Sequence, residues 1–285
     1  METHSIKWYK LVASALWNVL AGEVSHASLN TFITYTLKKY PSHESIHKTL
    51  MASRNFLNYL GDIRFDPIFS QYARVLKTPR NAGYRRCLPP VIVDEDIRSV
   101  IRRIETCEAG IPRRAHHLTL LLTAVYTGQR PETIARLTRN NLTAACDTGI
   151  LKIPASIDKT RRDHFVPIPP HFIPIIQTWL NSLNGENQVF ILERFQRWLQ
   201  KQRIALTHTP LNGSPRFFKV GDCRKYFQQK CDELGIPRPV VNFCMSHELS
   251  GVVARHYSNF REETIRSEMK KWDSVRFELK NFRAL

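Results

Sequence analysis

Five residues spread over half the chain, Arg130, Lys159, Arg224, His247 and Tyr257, are of types that together suit one reaction. Displacement at a phosphodiester without a metal requires a nucleophile in line with the leaving oxygen, cations against the non-bridging oxygens and an acid for the departing alkoxide. An arginine fork bonds two phosphate oxygens at once and stays charged at any working pH. A tyrosine hydroxyl can attack phosphorus and keep the bond energy as a phosphotyrosine, while a lysine protonates the leaving oxygen. Each residue also has an ordinary reading. Arg130 could cap a helix or sit in an ion pair, Arg224 could pair with Asp222, and Lys159 could simply grip backbone phosphate. His247 could donate to a carbonyl, and the ring of Tyr257, in VVARHYSNF, could pack.

The elements around them decide what they can reach. HHLTLLLTAVYTG is apolar enough for a buried helix that ends at Gly128, so that Arg130, in TGQRPETIARLT, leaves the helix end rather than lying along a solvated face. GILKIPASIDKTRRDHFVPIPP sets β-branched runs on either side of a charged turn, which predicts a hairpin with Lys159, Arg161 and Arg162 in its connection. DCRKYFQQKCDELG predicts a helix with an apolar stripe at 223, 227, 231 and 234 and Arg224 in its first turn. Helical periodicity also marks VDEDIRSVIRRIETCEAG, FIPIIQTWLNSL, ERFQRWLQKQRI and ETIRSEMKKWDSVRFELKNF. In the last, Met269, Trp272, Val275, Leu279 and Phe282 form a stripe that either packs on its own domain or docks to a neighbouring copy.

Residues 1–76 read as a helical bundle of four segments separated by Ser25 to Ser28, Pro41 with Ser42, and Gly61 with Asp62. Residues 77–90 lose periodicity and read as a basic linker in which Lys77, Arg80, Arg85 and Arg86 can touch phosphate. Residues 91–285 form the second domain, and the fold class expected is mainly α with one small antiparallel hairpin. There is no internal repeat and no low-complexity tract.

Lys and Arg total 42 against 25 Asp and Glu, a net charge of +17, and the chain is 42% hydrophobic, enough for ordinary cores. The excess lies in both halves: 12 basic against 5 acidic residues in 1–90, and 30 against 20 in 91–285. Two basic domains can close on a duplex from opposite sides, and double-stranded DNA is the partner expected. No run of 18 apolar residues and no signal-peptide pattern is present, which predicts a soluble cytoplasmic protein with no membrane partner. The six cysteines have no C-x-x-C spacing and read as reduced core residues, giving neither a metal site nor a disulfide framework.

In order and spacing, Arg130, Lys159, Arg224, His247 and Tyr257 resemble the active site of the tyrosine recombinase (phage integrase) family. TGQRPETIARLT is similar to that family's first arginine box, KTRRDHFVPIP to its hairpin lysine segment, RKYF to its second arginine box, MSH to its LGH, and RHYSNF holds the tyrosine. The likeness spans residues 93–260, and the preceding bundle fits the family's core-binding domain. RKYF and the plain RHY look most like integrases of archaeal viruses and plasmids. The resemblance implies a site-specific recombinase of a mobile element in a prokaryotic host, forming a covalent 3′-phosphotyrosine without cofactor and working as a homotetramer on two duplexes. A type IB-like topoisomerase and a non-catalytic DNA-binding relative are the alternatives. Departures stand at Gly221, where many members have histidine, at Gln129, where an apolar residue is usual, and at Glu132, two rather than three residues past Arg130.

Overall fold

The computed structural model describes residues 14, 16, 24–83, 90–108, 110–183, 188–208, 215–247 and 262–279. The chain divides into two compact units, Met1–Pro89 and Pro90–Leu285. In the first, α1 (His26–Lys39), α2 (His43–Arg64) and α3 (Pro67–Val75) start where a side chain serves an orphan backbone amide: Ser25 accepts from Ser28, Ser42 from Ser45, and Asp66 from Ile68 ahead of Pro67 at the first helical position. Their apolar faces meet around Leu29, Phe32, Ile46, Leu50 and Leu57, all fully buried, and Leu16 joins them from the first predicted segment, of which Ser14 is the other described residue. Each such side chain contributes about 1.5–3 kcal/mol by leaving water. Within the stretch expected as a linker, Ala82 is buried in this core, and His47 Nδ1 lies 3.0 Å from Thr78 Oγ1.

The second unit is built on α5 (Ile111–Thr127), buried at every position from Ala115 to Thr127. Around it lie α4 (Asp94–Glu105), α6 (Pro131–Ala135), α7 (Arg139–Thr148), α8 (Ile173–Asn181), α9 (Leu192–Gln202), α10 (Asp222–Glu233), α11 (Arg238–Cys244) and α12 (Glu262–Met269). The expected hairpin is β1 (Ile150–Ile153) paired antiparallel with β2 (His164–Pro167), with Ile150 opposite Pro167 and Ile153 opposite His164. The described residues are therefore mainly helical with one small two-stranded sheet. Among them, no helix is long and apolar enough to cross a membrane.

Four expectations change. The break expected at Gly61 with Asp62 lies inside α2, which runs to Arg64 and stops at left-handed Phe65. The C-terminal segment is not one helix: α12 ends at Met269, a 3-10 turn covers Lys270–Ser274, and an extended stretch follows. Trp272 stacks on Phe227 at 5.0 Å, and the Tyr126 hydroxyl donates to the Val275 carbonyl, contacts that draw the chain across the core. Met269, Trp272 and Val275 are thereby buried in their own unit, Leu279 packs against the same core, and Phe282 lies outside the described residues. The cysteines are not uniformly core residues, since Cys223, Cys231 and Cys244 are buried but Cys107 and Cys146 only half-buried, and Cys87 lies outside the described residues. Finally, α11 follows Pro237 as an unforeseen seven-residue helix.

The core carries two adjacent histidines. His116 accepts a hydrogen bond from the Ile191 amide at Nε2, which places its own proton on Nδ1, 3.0 Å from His117 Nδ1. His117 sits among aromatic rings, its centroid 5.1 Å from Phe195 and 5.2 Å from Trp198. Burial holds both rings neutral, with His116 lowered to about 4 and His117 to about 3. An unfolded chain takes up these protons near pH 6.5 and the folded chain only near pH 3–4, so the stability gained from the neutral pair is complete above pH 6.5 and is lost as pH falls. Urea melts at pH 7.5, 6 and 5 are expected to show stability falling by roughly 1–3 kcal/mol per pH unit below pH 6.5. His117→Phe, which keeps the stacking, should flatten that dependence.

Candidate active site

The C-terminal end of α5 organises the site. Its cap, Gly128, is left-handed at φ 62°, and a Cβ there would stand 2.4 Å from Cδ1 of Phe227 on α10. Only glycine permits both the turn and this approach. The chain then leaves with Gln129 pointing inward and Arg130 outward as the N-cap of α6, ahead of Pro131. Gln129, buried, donates from Nε2 to the carbonyls of Thr127 and Cys244 and accepts at Oε1 from His164 Nε2 on β2. A single amide thus ties the ends of α5 and α11 to the hairpin, which an apolar residue at this position could not do.

Arg224, in the first turn of α10, donates from Nη1 to Gly128 O at 2.7 Å and from Nη2 to Met245 O at 2.6 Å. The last carbonyls of a helix carry partial negative charge, so the ends of α5 and α11 form a receptor for this cation. Asp222 does not pair with Arg224; it takes Arg216 at 2.8 Å and Lys225 at 2.9 Å instead. Burial and the neighbouring charge of Arg130 bring Arg224 down to about 10, so it remains a cation at neutral pH.

Arg130 donates to Oδ1 of Asp158 at 3.2 Å, with Asp158 shut away from solvent and Arg130 partly exposed. Asp158 belongs to the ten-residue hairpin connection and is the organiser that motif reading passes over. Thr133 reaches the same Oδ1 at 3.5 Å. Oδ2 accepts from the Thr160 amide at 3.0 Å, from the Thr160 hydroxyl and from the Ser246 hydroxyl at 2.9 Å. Burial opposes the charge, yet the hydrogen bonds from Thr160 and Ser246 carry Asp158 down to about 2.

Ser246 stands at φ 51° in the turn after α11, where its hydroxyl also meets that of Thr160. His247 follows, its amide bonded to Asn242 O. Burial, then the charges of Arg224 and Arg130, lower its pKa and favour the neutral ring. Arg130, Arg224, His247 and the hairpin are therefore brought together, with positive charge in excess of the one carboxylate.

Lys159 is exposed in the connection beside Asp158, as are Arg161 and Arg162. Lys77 and Arg80 are exposed on the first unit, while Arg85, Arg86 and Tyr257 lie outside the described residues. Glu132 is exposed. The position of Gly221 is open, with φ −63° and no described atom within 4 Å of a Cβ built there. The signal for Asp158 was present in the sequence as D-x-T, an aspartate two residues ahead of an amide it can cap. Among the described residues, no group of three or more His, Cys, Asp or Glu could hold a metal ion.

No family model and no curated protein matches the chain. Solved structures do. The chain has the mainly-α fold of the tyrosine recombinases. It is similar to the integrase of the Tn1549 transposon, in complex with transposon right end DNA, at TM-score 0.62 and 15% identity over 94% of each chain. It is also similar to the XerH site-specific recombinase bound to its difH substrate, at TM-score 0.53 and 17% identity over 86% of this chain and 70% of that one.

The two glycines separate sharply in expectation. Gly128→Ala meets Phe227 and a left-handed backbone at once and should cost roughly 2–4 kcal/mol in chemical melts. Gly221→His requires neither strain nor space, and its thermal midpoint should stay within ~2 °C of wild type.

Proposed function

We propose that this protein is a site-specific DNA recombinase of the integrase kind, cutting and rejoining duplex DNA through a covalent 3′-phosphotyrosine. The observation that carries the reading is the convergence of Arg224, pinned to two helix ends, with Arg130 and His247 in one region of net positive charge. Two guanidiniums held in this way, with N–H donors left over, suit the non-bridging oxygens of one phosphodiester. The neutral imidazole of His247 adds a hydrogen bond to the same phosphate.

In the cleavage step Tyr257 Oη bonds to phosphorus and releases its proton to solvent, the bond from phosphorus to the 5′ oxygen breaks, and Lys159 gives its proton to that oxygen. Attack by a 5′ hydroxyl of another duplex reverses the sequence and exchanges strands, with no external energy source because the ester bond is conserved. In this reading the first unit is the core-binding domain and residues 91–285 the catalytic domain. Lys77, Arg80, Arg85, Arg86, Arg161 and Arg162 neutralise backbone phosphates, and four protomers join two duplexes. The DNA complexes of the Tn1549 integrase and XerH support DNA as the partner.

A nicked suicide duplex tests the chemistry. Wild type should form a denaturation-resistant adduct on the peptide containing Tyr257, and Tyr257→Phe should form none while melting and binding duplex as wild type does; an adduct on any other peptide would refute the assignment. A protein that binds but never forms an adduct is a non-catalytic relative. Relaxation of supercoils without strand exchange between two linear duplexes would mark a type IB-like topoisomerase. Replacing Lys77, Arg80, Arg85 and Arg86 together with alanine should weaken binding to all sequences and flatten the dependence of affinity on salt by up to about four phosphate contacts.

A further inference from the structure

The mechanism assigns Lys159 a proton, yet its side chain is exposed and has no hydrogen bond or ion pair among the described residues. Something else must hold it in place. The connection between β1 and β2 is closed at its base by the Ala155 amide donating to Asp163 Oδ1 at 2.7 Å. Its tip is a four-residue turn, Asp158 to Arg161, in which the Arg161 amide bonds back to Asp158 O and Arg161 takes φ 54°. Lys159 is the second residue of that turn. Asp158 opens it, and its Oδ2 accepts from the Thr160 amide, so the backbone on both sides of Lys159 is fixed by one carboxylate. The same oxygen takes the Ser246 hydroxyl from the residue before His247, and the other oxygen takes Arg130.

We propose that Asp158 is a positioning residue for the leaving-group proton. It sets where Lys159 stands relative to the phosphate pocket, serving the lysine turn and the Ser246 turn with one carboxylate oxygen and Arg130 with the other. The inference rests on the functional reading above. The buried Asp158 side chain meets no substrate; it acts through the turn it closes. Ser246 takes part because it places a hydroxyl where the resembling family commonly has glycine, and Thr160 because its amide and hydroxyl both end on Oδ2.

Sulfur in place of the bridging 5′ oxygen isolates this role. A thiolate departs without a proton, so a defect confined to the acid disappears on the sulfur duplex, whereas a defect in the phosphate clamp persists. Asp158→Ala and Lys159→Ala are each expected to slow adduct formation ~100-fold on the ordinary duplex and to lie within ~3-fold of wild type on the sulfur duplex. The double variant should be no slower than Lys159→Ala alone. Asp158→Asn keeps an oxygen for the Thr160 amide and closes the same turn, so it should be faster than Asp158→Ala on the ordinary duplex, and equal loss in the two would overturn the turn as the route. Arg130→Ala should be slow on both. If Asp158→Ala stays slow on the sulfur duplex while Lys159→Ala recovers, Asp158 serves the clamp and the inference is overturned, with the functional reading intact. Failure of Lys159→Ala to recover removes Lys159 as the acid, and absence of any wild-type adduct removes the functional reading; either outcome removes the inference as well. Should Asp158→Ala melt too low to assay, Thr160→Val combined with Ser246→Ala carries the same test. It should be ~10-fold slow on oxygen and normal on sulfur, and no loss or no recovery overturns the proposal.

Discussion

The guanidinium of Arg224 is bonded to the carbonyls of Gly128 and Met245, and the geometry of the whole site follows from that pair of bonds. Two helices, α5 and α11, end against each other with their partial negative charges facing inward, an arrangement that leaves orphan carbonyls in a half-buried place unless donors are supplied. Arg224 supplies two donors and Gln129 two more, to Thr127 and Cys244. Breaking the cation's bonds would leave the carbonyls of Gly128 and Met245 to find other partners, at on the order of 1–3 kcal/mol for each that fails. The charge that suits an anion is thus also a structural part, and its position is fixed before any ligand arrives. Preorganised donors of this kind need no rearrangement when charge develops in a reaction.

Close approach makes that possible. Arg224 reaches Gly128 O because α10 lies directly against the end of α5, with Phe227 where a side chain at 128 would have to be. Phe227 in turn stacks on Trp272, and the Trp272 indole donates to Cys231 Sγ at 3.2 Å, so the C-terminal segment braces the helix that carries Arg224. The apolar stripe at 269, 272 and 275 therefore contributes to the site through packing within its own unit.

What was legible in the sequence was whatever repeats locally. The period of α5, its glycine stop, the stripe of α10 and the two β-branched runs of the hairpin each span few residues, and each predicts an element that forms. Arg130, Lys159 and Arg224 were singled out by residue type and local turn together, and His247 only through the order and spacing of the set. Illegible were bonds between residues far apart in sequence: Gln129 to Cys244, Asp158 to Ser246, Arg130 to Asp158. Gln129 appeared only as a departure from an apolar position, and its use depends on a carbonyl 115 residues away. Asp222 was the obvious partner for Arg224 by proximity, yet Arg216 and Lys225 already occupy it. The helix α11 is seven residues long and starts between two prolines, too short for a period to show. The continuous helix read over the C-terminal segment failed for the opposite reason, because a period of buried residues persists when the chain passes from α-helix through a 3-10 turn into an extended run.

Charge accounting explains why one carboxylate sits among these cations. Arg130 and Arg224 each lower the pKa of His247, and Arg130 lowers that of Arg224, so the cations repel one another inside a partly buried site. Without Asp158 the fold would carry that repulsion unrelieved; with a second carboxylate the pocket would lose its excess and with it any preference for an anion. One acid leaves the fold tolerable and the pocket still positive. Asp158 is tied to Thr160 and Ser246 as well as to Arg130, which holds its side chain inside the hairpin connection. The carboxylate is held by two hydroxyls and an amide that a reading of residue types alone would pass over.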